Sequence, residues 1–103
     1  GTFVGTPFYC APEMLEKNES GLFSDLWALG CIIYEMCTGQ KMFVGRNNQD
    51  VFNKILNNEI DFIDDLDDKA QDLILNLCNM EPKKRIGFKN IQKLKDHKFF
   101  EGI

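Results

Sequence analysis

The sequence predicts a mainly α fold with no substantial sheet, built around one central buried helix at residues 23–38. This stretch is the most apolar run of the chain, and its apolar residues would cover nearly the whole circumference of a helix, which indicates burial on most sides. Ser24 is a good N-cap, and Gly39 stands where a glycine commonly ends a helix. Apolar residues recur at helical spacing further along, and no segment makes a convincing strand.

Shorter helices are predicted on both sides of the central helix. Residues 1–9 combine glycine, proline and threonine, which is the composition of a loop. Pro12 then suits the first turn of a short helix at residues 11–15. After the central helix and an irregular connection, Asn48 can cap a helix at residues 49–56.

Two further helices are predicted in the last third of the chain. Asp67 or Asp68 can cap a helix that runs to Cys78, before a proline interrupts the helical pattern. The final helix is predicted at residues 90–96. The apolar residues of this helix that we expect to be buried are Ile91 and Leu94.

The size of the chain conflicts with a helix that is buried on all sides. The chain has 103 residues, and domains smaller than this bury only about 60% of their unfolded surface. It begins at Gly1 without an initiator methionine and opens directly into a loop-like sequence. We therefore expect it to be a fragment of a larger protein.

Charge and hydropathy disfavour two classes of partner. The net charge is −4, whereas nucleic-acid-binding domains are usually basic, so no nucleic-acid partner is predicted. An acidic stretch at residues 59–72 and a lysine-rich stretch at residues 83–98 are interpreted as solvated faces. The longest uninterrupted apolar run, residues 26–34, is too short to cross a bilayer, so no membrane segment is predicted.

The four cysteines argue against a metal site. They form no C-x-x-C pair, and the single histidine, His97, is remote from them in sequence, so no zinc site is predicted. Cys31 and Cys37 lie within the apolar helix and are interpreted as reduced, buried thiols. Since no signal peptide is visible, this predicts a cytoplasmic location, with a targeting segment before Gly1 left open.

Three motifs follow one another along the chain. Residues 5–13 read G-T-P-F-Y-C-A-P-E, residues 25–30 read D-L-W-A-L-G, and residues 82–87 read P-K-K-R-I-G. In this order and spacing they resemble the C-terminal half of a eukaryotic protein kinase catalytic domain. Within the kinases, residues 2–7, 29–34 and 97–100 resemble the AGC group of serine/threonine kinases. The resemblance covers residues 1–103: residues 1–13 resemble the end of an activation segment, and residues 14–103 the helical lobe to the end of the domain.

The resemblance implies roles for the front loop. Thr2 aligns with an activation-loop phosphorylation site, where a phosphate would add nearly two negative charges; the alternative is an ordinary loop threonine. Thr6 aligns with a threonine that hydrogen-bonds the catalytic aspartate of the missing half, and the alternative is turn stabilisation. Three apolar residues would line the pocket for the residue after the phosphoacceptor, or would serve only packing: Phe3, Pro7 and Cys10.

The resemblance also implies roles for four charged residues. Glu13 and Arg85 would form a buried ion pair that joins the activation segment to the helical lobe. Asp25 would accept hydrogen bonds from the catalytic loop, which is compatible with a simple first-turn carboxylate. Glu35 aligns with an acid that receives a basic substrate residue in some AGC kinases. However, Phe8 stands where several such relatives carry an acid, which puts a strong arginine preference in doubt.

The remaining kinase motifs are absent from these 103 residues. There is no G-x-G-x-x-G, V-A-I-K, H-R-D-x-x-x-x-N or D-F-G, and these supply the phosphate cradle, the catalytic aspartate and the Mg²⁺ ligands. The resemblance thus implies a parent kinase that uses ATP and Mg²⁺ on serine and threonine of protein substrates. The fragment would bind neither cofactor, would be inactive alone, and would contact the rest of its own kinase domain. The alternative is a pseudokinase or helical interaction module.

Overall fold

The computed structural model describes residues 7–102, so the predictions on Thr2, Phe3 and Thr6 lie outside the described residues. The described part is helical and contains no strand, which confirms the mainly α prediction. Its helices are α1 Pro12–Glu16, α2 Leu22–Thr38, α3 Asn48–Leu56, α4 Asp68–Leu77 and α5 Ile91–Lys95, with 3₁₀ turns at Pro82–Lys84 and Lys98–Phe100.

Helix α2 is the central element, and its two ends compare differently with the prediction. Gly39 adopts the left-handed conformation (φ 74°) that ends the helix, as expected. The prediction of Ser24 as N-cap is wrong, because the helix begins earlier and Gly21 is its N-cap. Ser24 is buried inside the first turn, where its hydroxyl donates a hydrogen bond to Glu13 at 2.9 Å. The Ser24 hydroxyl therefore bonds the buried Glu13 carboxylate instead of capping the helix.

Helix α4 packs directly on α2 at Gly30. A Cβ atom at this position would lie 2.6 Å from Cys78 Sγ and 3.1 Å from Leu77 Cβ. The Cys78 thiol also donates a hydrogen bond to the Trp27 carbonyl at 3.5 Å. The absence of a side chain at residue 30 therefore sets the close approach of the two helices, around which the buried core is assembled.

The N-caps of the later helices are asparagine or aspartate side chains. The prediction of Asn48 was wrong by one residue, because the Asn47 side chain accepts from the backbone N–H of Asp50 at 2.9 Å. Asp67 is the cap of α4 and accepts from the N–H of Lys69 at 2.7 Å. Each cap satisfies a backbone donor that has no partner within its helix.

The C-terminal region is closed by α5 and the final 3₁₀ turn. Leu94 is buried as expected, whereas Ile91 is 49% exposed, so its predicted burial is wrong. The His97 ring accepts a hydrogen bond from the N–H of Phe99 at Nδ1 and lies 2.6 Å from Asp72 at Nε2. These contacts make His97 a cap that joins the terminal turn to α4.

One face of α2 is uncovered within residues 7–102. The residues of this face recur at intervals of three and four positions, which places them in one stripe along α2. Ile32 is 43% exposed and Met36 is 80% exposed. Cys37, beside this stripe, is also exposed, so its predicted burial is wrong, whereas Cys31 is buried. The uncovered face consists of Asp25, Ile32 and Met36, with the half-buried Leu29 between Asp25 and Ile32.

No helix among residues 7–102 has both the length and the apolar content needed to cross a membrane.

Replacing Gly30 with alanine tests the approach of α2 and α4. We expect Gly30→Ala to lower the free energy of unfolding by about 1–3 kcal/mol, since the new methyl group overlaps Cys78 Sγ. Chemical denaturation measures this, with Cys78→Ala as the matched variant. In the double variant the methyl group fills the space that the sulfur leaves, so the two costs should be clearly less than additive. Strict additivity would contradict the proposed contact.

Candidate functional site

A buried ion pair joins α1 to the far end of the chain. The Arg85 guanidinium donates from Nη1 to Glu13 Oε2 at 2.7 Å and from Nη2 to Glu13 Oε1 at 2.8 Å. The exposed fractions of the two side chains are 0% for Arg85 and 5% for Glu13. The sequence separation is 72 residues. This is a bidentate, desolvated contact, which is the strong form of an arginine–carboxylate interaction.

The remaining polar atoms of this pair also have partners. Arg85 donates from Nε to the Asn79 carbonyl at 2.8 Å and from Nη1 to the Phe23 carbonyl at 2.7 Å. Its guanidinium carbon lies 5.0 Å from the centre of the buried Trp27 ring. Since a buried charge is costly unless its hydrogen bonds are satisfied, these contacts are what makes the pair tolerable in the core.

The same contacts determine how Glu13 titrates. Burial disfavours the charged carboxylate and acts to raise its pKa. Hydrogen bonds from Arg85, from the Glu13 backbone and from Ser24, together with the Arg85 charge, outweigh this effect and hold the pKa of Glu13 below its usual value. Glu13 is therefore ionised at neutral pH.

The segment before α1 is packed onto the core. Pro7 and Cys10 are both buried, and the N–H of Cys10 donates to the Pro7 carbonyl at 3.0 Å. Burial, and then the neighbouring Cys31, raise the pKa of the Cys10 thiol, so it is neutral at pH 7. These two side chains face inward, and the surface of the segment is formed by Phe8 and Tyr9.

A second charged cluster lies where this segment meets the C-terminal half of α2. The Tyr9 hydroxyl donates a hydrogen bond to Glu35 Oε1. Lys41 Nζ lies 3.5 Å from Glu35 Oε2. The same ammonium group lies 5.2 Å from the centre of the Phe8 ring and 5.8 Å from that of the Tyr9 ring, within the range of cation–π attraction.

The protonation states of this cluster support each other. The hydrogen bond from Tyr9 has the largest effect on Glu35 and lowers its pKa; burial opposes this, and the charge of Lys41 lowers the pKa further. The Glu35 charge raises the pKa of Lys41, and the hydrogen bond to Glu35 raises that of Tyr9. At neutral pH the cluster thus contains one carboxylate, one ammonium and one neutral phenol, and its net charge is zero.

Asp25 belongs to neither cluster. Its side chain is exposed in the first turn of α2, and no residue between 7 and 102 donates a hydrogen bond to its carboxylate. No group of three His, Cys, Asp or Glu side chains in the described region is arranged to hold a metal ion.

Sequence reasoning missed two members of the second cluster, Tyr9 and Lys41. Tyr9 stands inside the G-T-P-F-Y-C-A-P-E motif, so its place there was a usable signal. No sequence signal pointed to Lys41, because its contacts to Phe8 and Tyr9 bring together residues more than 30 positions apart. The proximity arises from the turn after Gly39.

Removing one partner of the buried pair should destabilise the protein strongly. We expect Glu13→Gln or Arg85→Ala to lower the free energy of unfolding by about 3–5 kcal/mol, because each strands the other partner in the core. Denaturation of each variant measures this, and Glu16→Gln, an exposed change in the same helix, should be nearly neutral. Stability equal to that of the parent in both core variants would refute this prediction.

The pH dependence of stability gives a second readout of the same pair. Since folding lowers the pKa of Glu13, its contribution is complete above the ordinary value of 4.5 and is lost as the pH falls through the folded value. We expect the free energy of unfolding to decrease below about pH 4.5, with a shallower decrease in Glu13→Gln. An unchanged slope would assign the acid sensitivity to other carboxylates.

Comparison with known proteins identifies the chain by its sequence. A profile described as the protein kinase domain matches residues 1–100. Serine/threonine-protein kinase gad8 of Schizosaccharomyces pombe is 41% identical over 99% of this chain, which covers 18% of that relative. The 3-phosphoinositide-dependent protein kinase 1 of Rattus norvegicus is 41% identical over the same share, and this chain covers 19% of it. The RAC-beta serine/threonine-protein kinase A of Xenopus laevis is 39% identical over 99% of this chain, which covers 21% of that relative.

The chain spans about one fifth of the length of these relatives. From residues 3–6 and 70–73 the sequence predicts a particular similarity to the 3-phosphoinositide-dependent kinases. Over the whole chain, gad8 and the rat kinase are equally identical to it, at 41%. The match extends over all three motifs and both partners of the Glu13–Arg85 pair. This chain therefore belongs to the protein kinase family, and its relatives are serine/threonine kinases of the AGC type.

Proposed function

We propose that the whole protein is a serine/threonine protein kinase that transfers the γ-phosphate of ATP to serine and threonine hydroxyls of protein substrates. Residues 1–13 would end its activation segment, and residues 14–103 would complete its helical lobe. The observation that carries the proposal is the Glu13–Arg85 pair, which joins the last residue of the motif at residues 5–13 to Arg85 and, through the Phe23 carbonyl, to α2. A segment held in this way can present a substrate without moving relative to the lobe.

The residues that hold ATP and Mg²⁺ would lie in the rest of the kinase domain. Phosphoryl transfer depends on positioning and on charge stabilisation at the phosphate, and the motifs for both are absent from these residues. This chain would supply the substrate-docking segment and the scaffold helices of the kinase. Without the rest of the domain it should be inactive.

The uncovered face of α2 supports contact with the rest of the kinase domain. Ile32 and Met36 expose apolar surface on the central helix, and burying it would contribute about 25 cal/mol per Å². Asp25 lies at the start of the same face, where its free carboxylate can accept backbone N–H groups of the catalytic loop. We assign this face to the remainder of the same domain.

The front segment would serve the substrate and regulation. Thr6 would hydrogen-bond the catalytic aspartate, and phosphate on Thr2 would order the loop against arginines elsewhere in the domain. Pro7 and Cys10, together with Phe3, would form the apolar pocket beside the phosphoacceptor. Because Pro7 and Cys10 are buried, they would pack beneath the surface of this pocket.

A cytoplasmic location fits the proposed function. All four cysteines are free, including the exposed Cys37, and free thiols are stable in a reducing compartment.

Activity of the whole protein tests the proposal directly. We expect Mg²⁺-dependent transfer of labelled γ-phosphate from ATP to serine- and threonine-containing peptides. Asp25→Asn should lower kcat roughly ten-fold or more, since charge-assisted hydrogen bonds to the catalytic loop are lost. Asp64→Asn, an exposed change in the acidic loop, is the matched control. A folded whole protein that transfers no phosphate to any peptide would instead favour a pseudokinase or interaction module.

Substitution of Thr2 tests the regulatory part of the proposal. We expect Thr2→Ala to lower activity several-fold, because the loop would lose the phosphate that orders it. Thr2→Ser keeps a phosphorylatable hydroxyl and should retain activity. The kinase assay, together with mass spectrometry of the loop, measures both. Full activity of Thr2→Ala would contradict regulation through this residue.

A further inference from the structure

The carboxylate of Glu35 is already paired with Lys41 of the same chain. Both carboxylate oxygens of Glu35 are engaged, Oε1 by the Tyr9 hydroxyl and Oε2 by Lys41 Nζ. The Lys41 ammonium group also lies over the Phe8 and Tyr9 rings. The side chains of Lys41 and Glu35 remain 37% and 34% exposed, so the site is accessible from solvent although its charge is already neutralised.

The loop that carries Lys41 is held by other contacts. The Thr38 hydroxyl donates to the Tyr34 carbonyl at 2.8 Å and accepts from the N–H of Gln40 at 3.0 Å. Phe43 is fully buried and stacks on Trp27, with ring centres 5.8 Å apart. Because the loop is fixed on both sides of Lys41, the ammonium group is not needed to hold it in place.

We propose that Lys41 determines substrate specificity: it satisfies Glu35 internally, so that the kinase does not favour a basic residue at the substrate position facing Glu35. This inference rests on the proposed function, because it concerns the choice of protein substrate by that activity. A substrate cation would have to compete with Lys41 for one carboxylate and would be repelled by it. The substrate class that fits this surface has a neutral or acidic residue at that position.

The surface around Glu35 that would face the substrate likewise disfavours a basic side chain. Phe8 and Tyr9 present two aromatic rings beside Glu35, and Lys41 lies over both. The local surface thus presents rings and an ammonium group, and its single carboxylate is engaged. An acidic side chain would meet the partly exposed Lys41, and an apolar side chain would meet the rings.

Peptide kinetics with the whole protein tests this inference. Each peptide pair contains one phosphoacceptor serine and differs by an arginine or an alanine, placed in turn at each neighbouring position. The readout is the ratio of kcat/KM for the arginine peptide to that for the alanine peptide. We expect Lys41→Met to raise this ratio about two- to five-fold at one position, because exposed ion pairs are of modest strength. The increase should shrink as salt is added.

Two further variants separate this role from general effects. Lys41→Arg keeps the positive charge and should keep the ratio of the parent. Lys93→Met removes one positive charge from an exposed position in α5 and should also leave the ratio unchanged. A thermal denaturation of all three variants checks that they are folded.

The outcomes distinguish this inference from the proposed function. An active kinase whose ratio rises in Lys41→Met alone supports the role of Lys41. An active kinase whose ratio is unchanged in Lys41→Met, or rises equally in Lys93→Met, overturns it and leaves the proposed function intact. A folded parent protein that phosphorylates no peptide overturns both.

Discussion

The buried pair of Glu13 and Arg85 is the interaction on which the arrangement of the chain depends. It joins a short helix near the start to a loop near the end, and the Phe23 carbonyl and the Trp27 ring include α2 in the same contact. Alone, α1 has five residues and is too short to be stable in water. Its position and that of the preceding segment therefore come from this contact and from burial of Pro7 and Cys10.

Helix α2 separates two environments. On one side Gly30 brings α4 so close that no Cβ atom fits, and the core is closed there. On the other side Ile32 and Met36 are exposed within the described residues. A helix whose sequence is apolar almost all round, but whose structure covers only part of it, is suited to hold further elements of its domain.

The C-terminal half of α2 carries Glu35, the centre of the second charged cluster. Glu35 leaves the helix toward the front segment, where Tyr9 hydrogen-bonds it and Lys41 neutralises it. The Glu13–Arg85 pair and the Glu35 cluster lie on the same segment, one buried and one accessible. The buried pair contributes rigidity because its charges are desolvated and fully hydrogen-bonded. The accessible cluster is partly exposed to solvent, and under the proposed function it would face the substrate.

The sequence by itself determined the helical class, the left-handed end of α2 at Gly39 and the family, because these follow from local periodicity, from glycine chemistry and from motifs at fixed spacing. It also identified Glu13 and Arg85, but only through the resemblance. The tertiary structure decided what local rules cannot express. Ser24 hydrogen-bonds a buried carboxylate instead of capping α2, and Ile91 is exposed because no element within residues 7–102 covers it. Lys41 meets Glu35 only because the turn after Gly39 folds back, and such a contact has no periodicity to reveal it.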